Sequence, residues 1–315
     1  MNKITIIGAG NIGVIIAEKI VNNDKIDEII LLDNNKGIAE AKATDIKKSI
    51  SSDINITIKG VTNSYSETKD SHIIIITPSV SYKESSSQEE TIKNNKKYIK
   101  NIVSKTIKYS PDAIYIIAIN PVDTMVQAVI NELGVAYADH IMGIGNLLDT
   151  YNFKENILNK YNEKYPDESI SINDIKSAYV IGGHNNTMII LTNKVKIFRK
   201  PLNIIFTQEE IIDIIDKTQH YYITFINDIN TNTLEIIGQC VYEIVMKLFN
   251  NSSSLIVEFV PLSVYRTIYD LCIGSLVSIN YNGIERTYIE ENNDVLINEK
   301  FMESVEAVRA VNEAL

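Results

Sequence analysis

Arginine is nearly missing from this sequence: only Arg199, Arg266, Arg286 and Arg309 occur, and none precedes residue 199. The N-terminal half therefore has no planar, bidentate donor for a carboxylate or phosphate, and lysine supplies the charge without the fork. Cysteine is scarce as well. Cys240 and Cys272 have no metal-type spacing around them and no adjacent base, which argues for core thiols in a reducing compartment and no metal site. Apolar runs such as Ile73–Ile76 fall far short of the roughly 20 residues that cross a bilayer. Positive charge is outweighed, and the formal charge of −10 speaks against nucleic acid or an anionic membrane as partner. A strand pattern beginning at Lys3 leaves no room for a signal peptide, so a cytoplasmic protein is the expectation.

The material for a core is ample. The chain is 45% hydrophobic and 22% charged over 315 residues, an ordinary globular balance in a length that suggests two domains. Apolar runs at 3–7, 28–32, 71–77 and 113–119, with alternation at 54–58, read as strands. Helical patterns lie between them at 12–21, 37–50 and 89–109, and such alternation predicts a parallel sheet covered on both faces. Beyond residue 145 the pattern changes. Short strands at 178–181 and 188–191 flank a turn bearing His184, Thr207 and Glu210 form a capping box, and helices follow near 234–249 and 300–315. Asn282–Gly283 signals a hairpin. The predicted class is α/β: a doubly wound domain over 1–145 and an α+β domain over 146–315.

GAGNIG at residues 8–13 has the G-x-G-x-x-G spacing, directly after an apolar strand and at the start of a helix. In that setting Gly8 permits the tight turn, Gly10 lets backbone approach a pyrophosphate, and Gly13 lets helix and strand pack closely. The free N–H groups of the helix start then face the phosphates, and Asn11 and Ile12 belong to the same loop. Asp33 stands 20 residues beyond Gly13. Its carboxylate accepts from a ribose diol and repels a 2′-phosphate, which favours NAD over NADP.

GAGNIG, NPVD at 120–123, LLDTYNF at 147–153, IGGHNNTM at 181–188 and the terminal SVEAVRAVN follow one another in this order. The set resembles the lactate/malate dehydrogenase family over nearly the whole chain, thinly between Asn193 and Phe301. The resemblance implies hydride transfer between NAD and a small hydroxy acid. It makes His184 the proton carrier and Asp149 the group holding its other nitrogen. Asn120 would lie near cofactor and substrate, Asn95 would match the family's closing asparagine, and the chain would form a dimer or tetramer.

The same resemblance exposes a departure. The family anchors its substrate with three arginines, and those positions hold Tyr82, Gln88 and Asn152. Two readings follow: a dehydrogenase whose substrate is recognised without arginine, or an NAD-binding paralogue with little turnover. A conventional enzyme would need Arg199 or Arg266 to reach the site.

Overall fold

The computed structural model describes residues 2–51, 53–77, 87–227, 231–249, 258–288 and 295–314. The first half alternates strand and helix: β1 (Lys3–Ile7), α1 (Asn11–Ile20), β2 (Glu28–Asp33), α2 (Ile38–Ser49), β3 (Thr57–Thr62), β4 (Ile73–Ile76), α3 (Gln88–Thr106), β5 (Ile114–Ile117), α4 (Val122–Leu133) and β6 (Ile141–Gly143). The strands pair in parallel in the order β3-β2-β1-β4-β5-β6. β1, β4 and β5 are buried along their whole length, as isoleucine-rich strands with helices on both faces must be. The order reverses between β1 and β4, so a crevice opens at the carboxyl ends of those strands.

β3 lies later than the apolar alternation at 54–58 suggests. It pairs Thr57 with Glu28 through Thr62 with Asp33, burying Ile58 and Val61. Gly60 decides this register, because a Cβ there would stand 2.1 Å from the Ala39 carbonyl oxygen on α2. Helix packing overrides the local period.

The second half begins with α5 (Gly145–Lys164) and short strands β7 (Ile175–Lys176), β8 (Val180–Ile181), β9 (Ile189–Ile190), β10 (Lys196–Ile197) and β11 (Lys200–Pro201). Helices α6 (Leu202–Ile205), α7 (Gln208–Asn227) and α8 (Thr231–Phe249) follow, then β12 (Val260–Arg266), β13 (Leu271–Asn280), β14 (Gly283–Tyr288) and α9 (Val295–Ala314). β8 and β9 pair antiparallel on either side of the His184 turn. The Thr207–Glu210 capping box forms, with reciprocal bonds of 2.8 and 3.3 Å. β13 and β14 close on Asn280–Gly283, as the hairpin signal implies. The antiparallel β12-β13-β14 unit joins the parallel sheet beside β6 through Ser263 and Gly143, giving nine strands in one sheet. Cys240 and Cys272 are free and buried, and burial pushes both thiols well above their ordinary pKa. Among the described residues, no helix is long and apolar enough to cross a membrane.

Candidate active site

The glycine loop leaves β1 with Gly8 at φ 100°, a left-handed value that glycine adopts without strain. A Cβ on Gly13 would stand 1.9 Å from the Gly8 carbonyl oxygen, so the third glycine is needed for the turn to close. Gly10 differs: a Cβ there would meet nothing within 4 Å among the described residues. It is exposed, as is Asn11, while Ile12 is half-buried against the core. Open space over Gly10 at the start of α1, where no side chain caps the helix, fits a pyrophosphate against backbone.

Asp33 closes the far side of this loop. Its Oδ2 accepts the Ala9 N–H at 2.9 Å and its Oδ1 accepts the Asn35 N–H at 2.8 Å. Backbone donors therefore orient the carboxylate, and each oxygen keeps a lone pair for a diol. The residues present fit an adenine dinucleotide.

Asn120 is exposed at the carboxyl end of β5, just before the helix that carries Asp123. Asp149 and Asn152 share one face of α5, a turn apart and both buried. His184 Nδ1 lies 2.8 Å from Asp149 Oδ2, with the two side chains only 3% and 4% exposed. Gly145 makes room for the ring, since a Cβ there would stand 2.7 Å from His184 Cγ.

The turn around His184 is held at every residue. Gly182 exchanges backbone bonds of 2.9 and 3.0 Å with Gly274. The Gly182 carbonyl also accepts from Asn146 Nδ2 at 2.9 Å, and the Gly183 N–H donates to Ser304 Oγ on α9 at 2.7 Å. The His184 N–H donates to Asp123 Oδ2 at 2.8 Å, while Ser263 Oγ donates to the other oxygen of Asp123. Asp123 closes the NPVD motif, yet only its asparagine had been given a role from sequence. The signal was present; the partner, distant by 61 residues, was not.

Burial alone would lower the His184 pKa. The charge and hydrogen bond of Asp149, together with the charge of Asp123, outweigh it and raise the pKa above the ordinary histidine value. Asp123 is also raised, chiefly by burial, against the lowering effect of its bonds to Ser263 and His184. These surroundings thus hold the proton on the ring more firmly than water does.

Asn152 is 3% exposed and its Oδ1 has no hydrogen-bond partner among the described residues. Asn95 is buried on α3. Gln88 starts α3, but its side chain and the whole of Tyr82 lie outside the described residues. Lys154, a lysine near the missing arginine, lies over the Tyr151 ring at 5.8 Å. Tyr151 donates to Glu243 on α8, so this lysine belongs to the α5–α8 contact and not to the face of Asp149. Arg199 is exposed at the β10–β11 turn and Arg266 is buried against Ser275. Neither contributes to the raised pKa of His184; among the described residues the charges that do are those of Asp149 and Asp123. No group of histidine, cysteine or acidic residues among the described ones could hold a metal ion.

The chain is similar to known proteins over nearly its whole length. Residues 2–143 match the family model described as lactate/malate dehydrogenase, NAD binding domain. The malate dehydrogenase of Flavobacterium frigidimaris is 32% identical over 319 residues, covering 99% of this chain and 98% of that protein. The malate dehydrogenase of Bacteroides fragilis is 29% identical over 318 residues, covering 100% and 98%. Among solved structures, malate dehydrogenase from Cryptosporidium parvum superposes with a TM-score of 0.86 at 27% identity, covering 99% of this chain and 98% of the other.

Proposed function

The chain belongs to the lactate/malate dehydrogenase family and is an NAD-dependent dehydrogenase acting on a CH–OH carbon; from that premise we propose that His184 and Asp149 move its proton and that its substrate is held without arginine. The observation that carries this reading is the buried 2.8 Å contact between His184 Nδ1 and Asp149. With Nδ1 engaged, proton exchange falls to Nε2. In the oxidising direction Nε2 accepts the proton of the substrate hydroxyl, and Asp149 stabilises the imidazolium that results. In the reducing direction the same nitrogen returns the proton to the carbonyl oxygen. NAD, when bound, takes up or returns the hydride at its nicotinamide ring. Gly8, Gly10, Asn11, Ile12 and Gly13 hold its pyrophosphate end, Asp33 its ribose, and Asn120 the region where cofactor and substrate meet; Asn95 closes the set.

The substrate is a small hydroxy acid or its carbonyl counterpart. Its far end meets the Asn152 amide, which offers both a donor and an acceptor, in place of a guanidinium. Losing a preorganised charged donor costs about 2.7–4 kcal/mol at a developing charge, so turnover of malate, the substrate in its relatives' names, is slow here. Tyr82 and Gln88 complete the substrate side. A second reading, an NAD-binding protein with little turnover, is favoured by the same Asn152, whose Oδ1 finds no partner among the described residues. The proposal extends to a homo-oligomer, dimer or tetramer, by the family resemblance, and to a place in the cytoplasm.

Purified protein mixed with NADH and a panel of 2-oxo acids, neutral ketones and aldehydes separates the readings. Oxidation of NADH by a carbonyl compound supports the first. Tight NADH binding with no oxidation by any member of the panel supports the second. Malate-family rates with oxaloacetate would overturn the argument from the missing arginines.

A further inference from the structure

Ile181, on the strand that leads to His184, also lines a cavity of about 160 Å³ between the β12–β13 hairpin and α9. This cavity holds none of the residues assigned to the dehydrogenase site. Arg266 faces it and is 7% exposed. Among the described residues its guanidinium donates one hydrogen bond, to Ser275 Oγ at 2.8 Å, and it lies 5.8 Å from the centre of the Tyr269 ring. Among the described residues, no carboxylate forms an ion pair with it. A guanidinium has five N–H donors, so most of this one's capacity is unused in a place where a cation without a counter-charge is costly. Burial depresses the Arg266 pKa. The remaining wall is largely apolar and includes Ile181 together with Phe301 and Met302 of α9.

We propose that this cavity binds a small monocarboxylate with an apolar body, the carboxylate on Arg266 and the body against Ile181, Phe301 and Met302. The two halves of the wall require the two halves of such a ligand: a fork for a planar anion and an apolar enclosure for hydrocarbon. The size agrees, since a dry cavity of about 150 Å³ accepts a benzene ring. A dianion is excluded by the single cation and a neutral hydrocarbon leaves the guanidinium uncompensated. The site borders the catalytic turn, because Ser304 of the same helix holds the Gly183 N–H at 2.7 Å.

Calorimetric titration of the full chain with benzoate, and with benzamide as its neutral isostere, tests the proposal without NAD or substrate. Benzoate binds with a millimolar Kd, and benzamide binds at least about tenfold more weakly, as loss of a charge-assisted pair requires. Arg266→Leu abolishes benzoate binding. Met302→Trp, a change at the 45% exposed rim that leaves Arg266 in place, fills the cavity and also abolishes it. Equal binding of benzoate and benzamide would overturn the proposal, as would benzoate binding that survives Met302→Trp, which would place it in the dehydrogenase site. If Arg266→Leu fails to fold, the isostere and Met302→Trp results decide.

Discussion

Replacing Asp149 by asparagine keeps the shape of the side chain on α5 and removes only its charge. In the native site the carboxylate oxygen is 2.8 Å from His184 Nδ1. With charge centres about 4 Å apart and an effective dielectric of about 20, the attraction to the imidazolium is about 4 kcal/mol. Hydrogen bonds to charged groups measured by mutation give a lower figure, roughly 1.5–3 kcal/mol. A loss of about 2–4 kcal/mol corresponds to about a 30- to 1,000-fold fall in kcat/KM for alcohol oxidation, where the imidazolium is formed. The pH dependence moves as well. His184 is raised above the ordinary histidine value because Asp149 and Asp123 overcome desolvation. Carbonyl reduction, which needs the protonated ring, is therefore constant at low pH and declines as pH rises through that raised pKa; oxidation does the reverse. In Asp149→Asn the main raising influence is gone while burial still opposes the charge, so both limbs shift to lower pH. Steady-state kinetics of NADH consumption and formation across pH measure both effects. A variant within threefold of the native kcat/KM, with its pH limb unmoved, would refute the role given to Asp149.

Gly10→Ala leaves thermal stability nearly unchanged, since its methyl meets nothing among the described residues, but weakens NADH binding about tenfold or more by standing where phosphate approaches; fluorescence titration reads this. Gly13→Ala, by contrast, forces a methyl against the Gly8 carbonyl at 1.9 Å and lowers the Tm as well, overpacking of this kind costing about 1–3 kcal/mol. Asn152→Leu removes a buried oxygen that has no donor among the described residues and stabilises the free protein by about 1 kcal/mol or more, seen as a higher Tm, while reducing substrate affinity. Ser263→Ala strips one of the donors from buried Asp123 and destabilises the fold by about 1–3 kcal/mol, measurable by urea denaturation.

Much of this architecture is legible in the sequence because its causes are local. Five consecutive buried residues in β1 followed by GAGNIG can hardly be other than strand, turn and helix, and Thr207 with Glu210 announces a helix start through a bond three residues long. Asp149 and His184 are legible only through a family's motifs; no local rule brings together residues 35 apart in the chain. What stayed hidden depends on packing between distant elements. Gly60 moves β3 by fitting α2 against the strand, Ser263 carries the C-terminal hairpin onto the sheet edge at Gly143, and Asp123 reaches His184 only once both are in place. Arg266 is the clearest case, because a cation in a strand reads as a surface residue, yet α9 buries it.

A single turnover follows the proton most directly: NADH bound to an excess of enzyme, mixed with the best carbonyl substrate, in the native protein and in His184→Asn. Asparagine fills much the same space and cannot hold a proton for transfer, so NADH affinity persists while the rate of oxidation falls by about 100-fold or more. Oxidation of bound NADH at an unchanged rate in His184→Asn would contradict the assignment of the buried histidine as the proton carrier.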